Sequence, residues 1–536
     1  MTNAERVRDV NGKLVNPRGQ YVLYWCQMFR RLRANHALDY ALRMCRELNK
    51  PLVVYEGLKL NYPWASARFH RFMLEGMRDN ITEAKRLGVN YWPFVETPDR
   101  PGRGLVQTLC ESACLLVTDD YPQFIVPAQT RAVANGVNIA VHAVDGNSMV
   151  PLSLLGPPTA AAAHLRPKIH KQFTDAWNHR SANEPELSGA ASKRVDPPFE
   201  LWRVPADLTA FVKGLPVDQS VPPVEIVGGR IAGQAVLAEF VEHKLARYAE
   251  DRSLPGDPES NAASGLSAYL HYGHLSIQDV CEAVLGPDWT PAEINAKTRN
   301  KDDFYCRDAN VNSFLDEAIT WRDVGFQWHF GKQAECESEH AESRISSQNP
   351  GENWPAFCFD TFDFSPLPET GTLAKVLPPW AMATLAKHTP DRREHLYSLE
   401  EFEHGDTHDP LWNAAQRELV ATGRIHNYLR MLWGKKVLEW SETPEQAYRV
   451  LEHLNNKYAI DGRDPNSYTG ILWCFGLFDR PWPPERPVFG NIRFMSSDNT
   501  AKKFKLGGYY DYVNRLPSIA DVRAGRGGGV RKAGLF

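Results

Sequence analysis

The sequence predicts two structural parts, an N-terminal α/β domain with a doubly wound parallel sheet and a C-terminal domain built of helices. Between residues 21 and 146, short apolar runs alternate with segments of helical periodicity, a pattern typical of a parallel sheet covered by helices. After Ile226 the strand signals fade and helix signals dominate. The length of 536 residues also exceeds what one compact core normally supports.

Five strand-like runs supply the predicted sheet, and two polar residues are placed to start helices between them. Asn35 and Ser66 each precede a segment in which apolar side chains recur at helical spacing. No G-x-G-x-x-G pattern follows the first run, so a dinucleotide fingerprint is absent. Topology alone still allows a nucleotide-like ligand at the carboxyl edge of the sheet. The predicted strands are Tyr21–Trp25, Leu52–Tyr55, Tyr91–Val95, Leu115–Val117 and Ile139–Val144.

Composition divides the chain into four segments. Residues 1–155 form the predicted α/β domain, and residues 156–225 form an interdomain linker rich in proline, alanine and charge. Residues 226–515 form the predicted helical domain. The last segment, 516–536, is rich in glycine and arginine and is expected to be a flexible basic tail.

Helix boundaries are clearest in the C-terminal half. Asp409, Thr443 and Asp464 are each followed by proline, which predicts three helix starts with a capping side chain and a proline in the first turn. Gly423 predicts the end of the first of these helices. The stretch Gln333–Thr372 carries no regular pattern and is expected to be irregular.

Composition also excludes several classes of protein. The net charge of −4 argues against a surface coated with positive charge, although a local basic face is compatible with it. No apolar run reaches the roughly 18 residues of a membrane span, and the N-terminal residues lack the apolar stretch of a secretory signal. Cys110 and Cys114 lie close in sequence, but nothing completes a metal-site pattern around them. We expect a cytoplasmic protein with no membrane association and no metal site.

A carboxylate lies on an aromatic stripe near the middle of the helical part. Glu317, Trp321 and Trp328 share one face of a helix, at spacings of four and seven residues. A buried carboxylate is costly without a partner, so Glu317 needs either an ion pair or a function. The ordinary interpretation pairs it with a nearby cation such as Arg322, and the alternative places it in a binding pocket.

A second helix, predicted from about residue 425 to 440, carries two tryptophans. Trp433 and Trp440 are seven residues apart and therefore lie on one face, roughly 10 Å from each other. Core packing is the ordinary interpretation, and electron hopping toward a redox cofactor is the alternative. Lys435 and Lys436 are expected to face elsewhere, as a solvated pair or as phosphate contacts.

Two later segments carry polar residues that packing alone does not explain. In the turn at 461–466, Asp464 serves as a helix cap, which leaves Asp461, Arg463 and Asn466 without a role. Further on, basic and aromatic side chains alternate, as in nucleic-acid contacts or in a solvated surface over a core edge. These alternating residues are Arg486, Phe489, Arg493, Phe494, Lys502, Lys503, Phe504 and Lys505.

Taken together, these motifs resemble those of class II cyclobutane pyrimidine dimer photolyases, within the photolyase/cryptochrome family. The segment 265–274 resembles the flavin-phosphate segment of the wider family, and 314–322 resembles its substrate-binding helix. The match in order and spacing is most specific in the C-terminal half. There the matching motifs are Asp409-Pro-Leu-Trp412-Asn, His426-Asn-Tyr-Leu-Arg430-Met-Leu-Trp433-Gly-Lys-Lys, Leu438-Glu-Trp440, Leu454-Asn455 and Asp461-Gly-Arg-Asp-Pro-Asn466.

The resemblance implies a light-dependent, DNA-binding flavoprotein lyase with deoxyribodipyrimidine photo-lyase activity. Reduced FAD would repair cyclobutane dimers in UV-damaged DNA by light-driven electron transfer, with the chain acting as a monomer. Residues 1–155 would be the antenna-type domain, with a second chromophore of unidentified kind left open. By position, the implied cofactor residues are Tyr248, Ser264, Leu266, Ser267, Arg322, Asn427, Arg430, Asn455 and Asp461.

The same resemblance assigns the implied substrate and catalytic residues. Glu317, Trp321, Met431 and Trp473 would contact the dimer, and Glu317 and Asn455 would take part in the chemistry. The implied electron-transfer residues are Trp412, Trp433 and Trp440.

The sequence departs from the class II pattern at a few positions and leaves two rival functions. Asn427, Leu432 and Ser467 replace the Gly, Tyr and Gly that are usual in class II, which leaves room for a divergent, bacterial-type subgroup. One rival is a cryptochrome-like flavin blue-light sensor without repair activity. The other is an interaction protein that has lost the flavin.

Overall fold

The part of the chain that the structure describes forms one six-stranded sheet followed by a helical region. The computed structural model describes residues 3–256, 261–298, 301–333 and 372–526, and the stretch Gln333–Thr372 lies almost entirely outside them. The strands are β1 (Val7–Asp9), β2 (Tyr21–Cys26), β3 (Leu52–Leu58), β4 (Asn90–Val95), β5 (Ala113–Asp119) and β6 (Val141–Val144).

The sheet has the doubly wound, mainly parallel topology that the sequence predicts. The strand order is β1-β6-β5-β2-β3-β4, and all neighbouring pairs are parallel except β1 with β6. The five predicted strands are confirmed with shifted ends; the last begins at Val141 instead of Ile139. The sequence missed β1, because three residues at the sheet edge, with Val7 opposite Val144, carry no alternating pattern.

Helices cover both faces of the sheet and are the regular secondary structure of the described residues after it. The helices of the first part are α1 (His36–Leu48), α2 (Ala67–Leu87), α3 (Leu105–Glu111), α4 (Val126–Gly136), α5 (Ala162–Asn178) and α6 (Leu208–Lys213). Those of the middle part are α7 (Arg230–Glu239), α8 (Tyr248–Asp251), α9 (Ser267–His271), α10 (Ile277–Leu285), α11 (Ala309–Leu315) and α12 (322–333).

The remaining helices follow the largest gap in the described residues. They are α13 (Thr372–Val376), α14 (Pro379–His388), α15 (Leu399–His404), α16 (Pro410–Thr422), α17 (Asn427–Trp440), α18 (Pro444–Tyr458), α19 (Pro465–Trp473), α20 (Ser497–Lys503), α21 (Gly507–Arg515) and α22 (Ile519–Arg523). Among the described residues no helix is both long and apolar enough to span a membrane.

Most predicted helix starts are capped as the sequence indicates. The side chains of Asn35, Asp409, Thr443 and Asp464 accept backbone N–H groups at the starts of α1, α16, α18 and α19. Gly423 ends α16 in the left-handed conformation, at φ 73°. These caps fix the entry points of the helices that carry the candidate site.

Two predicted connections are more ordered than expected. The predicted linker 156–225 contains the 17-residue helix α5, which buries one face and whose Arg166 forms a two-bond ion pair with Asp316. The predicted tail begins with α22, whose Ile519 and Val522 are buried in the helical core. Both differences arise because the short apolar faces of α5 and α22 pack against other parts of the molecule. Local composition does not reveal such tertiary contacts. Residues 527–536 lie outside the described part of the chain.

The sheet and the helical region meet along a polar seam. Arg68 of α2 donates to the carbonyl oxygens of Val420 and Tyr458 at 2.7 and 2.5 Å. Ser148 donates to Asp323 of α12 at 2.5 Å. Burial raises the pKa of Asp323 to about 7, although Arg322 beside it acts in the opposite direction. The helical region is therefore held at a defined position over the carboxyl edge of the sheet.

Candidate active site

Two tryptophans form an aromatic wall on the helical region. Trp321 ends the π-helical turn Asp316–Trp321, and Trp473 is the last residue of α19. Their rings stack with centroids 5.3 Å apart and planes 26° from parallel, and both side chains are partly exposed. π-Helical turns within α-helices occur frequently at functional sites. The structure thus brings these two predicted substrate residues together, while Met431 lies partly buried on α17.

Glu317 lies on the same π-helical turn and has a cationic partner. Its Oε1 atom is 2.5 Å from Nη2 of Arg252, and the Arg252 guanidinium lies 5.7 Å from the centre of the Tyr248 ring. Burial raises the pKa of Glu317, and Arg252 partly offsets this effect. The expected pairing with Arg322 is wrong, because Arg322 donates to the carbonyl oxygen of Asn147 at 2.6 Å. This hydrogen bond does not link Arg322 to a cofactor, so its cofactor role stays a prediction.

Charged groups with incomplete hydrogen bonding meet where α17 approaches the turn after α18. Nη2 of Arg430 is 3.6 Å from Oδ1 of Asp461. Within the described residues, Arg430 Nε and Asp461 Oδ1 are buried and have no hydrogen-bond partner. Asn455, on α18 before this turn, is buried and donates to Asn456 at 3.2 Å. A Cβ atom on Gly462 would lie 2.8 Å from the Asn455 carbonyl oxygen, so only glycine lets this turn approach α18 so closely.

The predicted phosphate segment lies next to a residue that the sequence analysis missed. Nη2 of Arg424 donates to the carbonyl oxygen of Gly265 at 2.9 Å, and its Nε is buried without a hydrogen-bond partner among the described residues. Leu266 is buried, Ser264 is partly exposed and Ser267 is exposed at the start of α9. No spacing in the sequence marks this residue, because Gly265 lies 159 positions from Arg424 and the two meet only through tertiary packing.

Two predicted cofactor residues stand apart from this cluster in their surroundings. Asn427 is exposed on the first turn of α17. Tyr248 is buried, and its ring packs edge-on against Phe314 at 5.1 Å. Their cofactor roles stay predictions.

Three buried tryptophans form a continuous chain of rings. Trp433 and Trp412 stack at 6.3 Å with planes 8° apart, and Trp412 and Trp440 lie 6.1 Å apart. Trp412 Nε1 donates to the carbonyl oxygen of Trp433, and Trp433 Nε1 donates to Gln416. Gln416 was missed by the sequence analysis, although it lies four residues after Trp412 on the same helix face. These contacts fix the order Trp433, Trp412, Trp440.

The two lysines of α17 are not solvated, which corrects the sequence-based expectation. Lys435 is fully buried, and its Nζ donates to the carbonyl oxygens of Cys474 and Trp473 at 2.7 and 3.4 Å. Burial lowers its pKa to about 8. Lys436 is also buried and pairs with Glu439 at 2.7 Å. Lys435 therefore holds the end of α19, where Trp473 lies, against α17.

Basic and aromatic side chains alternate in space as well as in sequence near the C-terminus. The guanidinium groups of Arg480 and Arg493 lie 4.9 and 5.0 Å from the ring of Trp482, which is 37% exposed. Nζ of Lys503 lies 4.8 Å from the ring of Tyr428. This arrangement presents cations and exposed rings together, as nucleic-acid contacts require.

A separate cavity of about 280 Å³ lies at the carboxyl edge of the sheet. Three polar atoms of lining residues, Gln27 Oε1, Arg30 Nε and Tyr62 Oη, are buried without a hydrogen-bond partner in the described structure. The predicted topology allowed a nucleotide-like ligand at this edge. The walls combine aromatic side chains, Trp25, Tyr55, Tyr62, Phe94, Tyr121, Phe124 and Tyr272, with charged ones, Arg30, Lys59, Glu96, Arg103 and Arg463.

One turn connects the cavity with the charged cluster. Asp461 belongs to the cluster, whereas Arg463, in a left-handed conformation at φ 67°, lines the cavity. Arg463 donates to the hydroxyl of Tyr272 at 2.7 Å and lies 3.5 Å from the ring centre of Phe69. Asp464 accepts from the hydroxyl of Tyr121 at 3.1 Å. Asp461 and Arg463, which packing left unexplained in the sequence, thus lie in the turn between the charged cluster and this cavity.

Relatives with curated names match nearly the whole chain. A protein of Methanothermobacter thermautotrophicus named deoxyribodipyrimidine photo-lyase is 31% identical over 525 residues, covering 97% of this chain and 100% of the relative. A protein of the same name from Arabidopsis thaliana is 32% identical over 515 residues, covering 93% of this chain and 90% of the relative. No protein-family model matches the chain.

Solved structures share the fold at lower identity. A class III photolyase from Agrobacterium tumefaciens superposes with a TM-score of 0.58 at 17% identity, covering 96% of this chain and 93% of the other. A photolyase from Sulfolobus tokodaii, solved with two FAD molecules, superposes with a TM-score of 0.54 at 15% identity, covering 94% of this chain and 93% of the other. Full-length identity above 30% together with this fold shows that the chain belongs to the photolyase/cryptochrome family.

Proposed function

We propose that this chain is a class II-type deoxyribodipyrimidine photo-lyase, which uses light and FAD to repair cyclobutane pyrimidine dimers in DNA. The observation that carries the proposal is that Glu317 shares a π-helical turn with Trp321, whose partly exposed ring stacks on that of Trp473. A light sensor has no need of a carboxylate beside an aromatic wall that opens to solvent. The names and full-length coverage of the relatives add independent support.

The charged cluster of the helical region fits a flavin dinucleotide. Arg424 Nε, Arg430 Nε and Asp461 Oδ1 are buried polar atoms that a polar ligand would complete. Arg430, Asp461 and Asn455 would hold the ring system, and Ser264, Ser267 and Arg424 would hold the phosphates. Bound, reduced FAD would supply on illumination the single electron that opens the cyclobutane ring and would receive it back.

The proposed lesion site would select damaged DNA through the cost of flipping the dimer out of the duplex. Damaged pairs cost less to extrude from a duplex than intact ones, and aromatic side chains stack on extruded bases. Trp321 and Trp473 would pack against the dimer with Met431 beside them. Glu317 would hydrogen-bond the dimer in exchange for its contact with Arg252, and burial raises the pKa of its carboxyl group.

The tryptophan chain would keep the cofactor reduced. The ring centres, 6.3 and 6.1 Å apart, form a route from Trp433 through Trp412 to Trp440.

The proposed division of the chain is an antenna-type domain at 1–155, a connection at 156–225 and a catalytic domain at 226–515. The aromatic cavity at the sheet edge, with its three unpaired polar atoms, would hold the second chromophore.

Repair of a defined oligonucleotide tests this proposal. Chemically reduced, FAD-loaded protein should restore thymine absorbance in DNA with one cyclobutane thymine dimer under blue or near-UV light, and do nothing in the dark. Glu317→Ala should lower the yield without abolishing it, and Glu317→Gln, which keeps a donor, should lower it less. Binding of the lesion without repair after prolonged light would favour the light-sensor alternative, and protein that cannot be loaded with FAD would exclude both.

A further inference from the structure

The chain of aromatic rings does not end at Trp440. The ring of Tyr397 lies 5.7 Å from that of Trp440, a spacing shorter than either step between the tryptophans. Trp440 is 3% exposed, whereas Tyr397 is partly exposed. Tyr397 therefore lies on the side of the chain that faces solvent.

The Tyr397 hydroxyl is bonded to an imidazole. It donates to Nδ1 of His408 at 2.6 Å and accepts from the backbone N–H of His408 at 3.0 Å. The donor assignment requires a neutral His408 with its proton on Nε2. Burial lowers the pKa of His408, and the imidazole of His395, stacked 3.7 Å away, adds to this effect. His408 is thus a proton acceptor already in contact with the phenol.

A cation makes positive charge on Trp440 unfavourable. Nζ of Lys436 lies 5.3 Å from the centre of the Trp440 ring, and burial weakens the screening of that charge. Glu439 pairs with Lys436 and offsets part of its effect. An oxidised indole at this position would therefore readily accept an electron from a neighbour that loses a proton as it is oxidised, because the ring of such a neighbour keeps no net charge.

We propose that Tyr397 and His408 form the terminal electron donor of the tryptophan chain, with Tyr397 giving up an electron and His408 taking the proton. The inference rests on the proposed function, in which illuminated flavin is the oxidant that leaves Trp440 as a radical cation. One electron passes from Tyr397 to Trp440, and the phenolic proton passes to His408 Nδ1. The products are neutral Trp440, a neutral tyrosyl radical and protonated His408, which exchanges its proton with water because its side chain is exposed.

The radical formed in light identifies the terminal donor. FAD-loaded protein with oxidised cofactor is illuminated without external reductant, and the protein radical is recorded by electron paramagnetic resonance. In wild-type protein, ring-deuterated tyrosine should narrow the signal and deuterated tryptophan should not. Tyr397→Phe should convert the signal to a tryptophan radical, while Tyr510→Phe, on α21 beside Tyr509, should leave it unchanged. A tryptophan radical in the wild type would overturn the proposal, whatever the variants do.

His408 is tested by kinetics. Transient absorption should give a tyrosyl rise that slows in D₂O and slows at least several-fold further in His408→Ala. An unchanged rate in that variant, with the same solvent isotope effect, would overturn the role of His408. Dimer repair by chemically reduced protein should survive both Tyr397→Phe and His408→Ala. Loss of repair in the wild type would instead count against the proposed function.

Discussion

The two candidate ligand sites of this molecule, the cavity at the sheet edge and the charged cluster of the helical region, differ in chemistry, although one turn connects them. The cavity at the sheet edge has aromatic walls, and two of its three unpaired polar atoms belong to neutral side chains, Gln27 and Tyr62. The third belongs to Arg30, whose charge is already paired with Glu56 at 3.0 Å. In the helical site the unpaired atoms belong to Arg424, Arg430 and Asp461. Aromatic walls suit a planar ligand, whereas paired and unpaired charges suit a dinucleotide.

This difference also tells which buried groups are explained by a ligand. Completing the hydrogen bonds of a buried charge stabilises a complex, because an unpaired buried group carries its full desolvation cost in the free protein. A buried group far from any ligand keeps that cost permanently. The predictions below separate these cases, from the largest expected effect to the smallest.

Glu452 on α18 is expected to be a buried group that no ligand completes. It is fully buried, its Oε1 has no hydrogen-bond partner among the described residues, and burial raises its pKa to about 8. Because the folded-state pKa lies above the ordinary 4.5, its favourable contribution is complete below about pH 4.5 and is lost as the pH rises to about 8. Glu452→Gln should therefore raise the free energy of unfolding by about 2–4 kcal/mol at pH 8.

Chemical denaturation of the FAD-free protein across this pH range measures the effect. The gain should shrink toward zero near pH 4.5. Glu445→Gln, on the first turn of the same helix, is the control and should show no such trend. A constant difference between Glu452→Gln and wild type at all pH values would show that Glu452 is ionised in the folded protein.

Arg430 is expected to be a group whose hydrogen bonds the bound cofactor completes. Arg430→Met removes the partner of Asp461 and one charged contact to the cofactor, which is worth about 1.5–3 kcal/mol, or roughly ten- to hundredfold in FAD affinity. Fluorescence titration of FAD-free protein measures the change. Arg46→Met, exposed on α1, is the control. Equal FAD affinity in Arg430→Met would remove this residue from the site and weaken the contrast between the two sites.

More of the fold than of the electrostatics of the site could be predicted from the sequence. The central strands and the caps at Asp409 and Asp464 are local patterns, so they were predictable. The partner of Glu317 was not, because Arg252 lies 65 positions away and reaches it only through tertiary packing. Lys435 was misjudged for the same reason: its face of α17 meets the end of α19, and no spacing in the sequence shows that contact.

Blocking the cavity should separate the two sites functionally. Ala132 lines the cavity and is exposed, so Ala132→Trp can cover the opening with little effect on the core. We expect this change to weaken binding of riboflavin, used as a planar probe of low charge, at least tenfold, while FAD content stays near one per chain in the helical site. Ala132→Ser is the conservative control. Parallel loss of FAD would mean that the turn at 461–464 transmits the change to the helical site.

The smallest effect concerns where DNA lies. Lys502 and Lys503 are exposed on α20 of the helical region, and Lys503 also lies over the ring of Tyr428. If they contact phosphates, changing both to alanine should flatten the plot of log affinity against log salt by about one unit per lost contact, because each contact releases condensed counterions. Lys85 and Lys193, exposed in the first part of the chain, provide a control with the same change in net charge. Measured on duplexes with and without a dimer, the slope should change equally, since phosphate contacts do not distinguish the lesion. An equal flattening in the control pair would mean that overall charge, and not a DNA path across the helical region, sets the salt dependence.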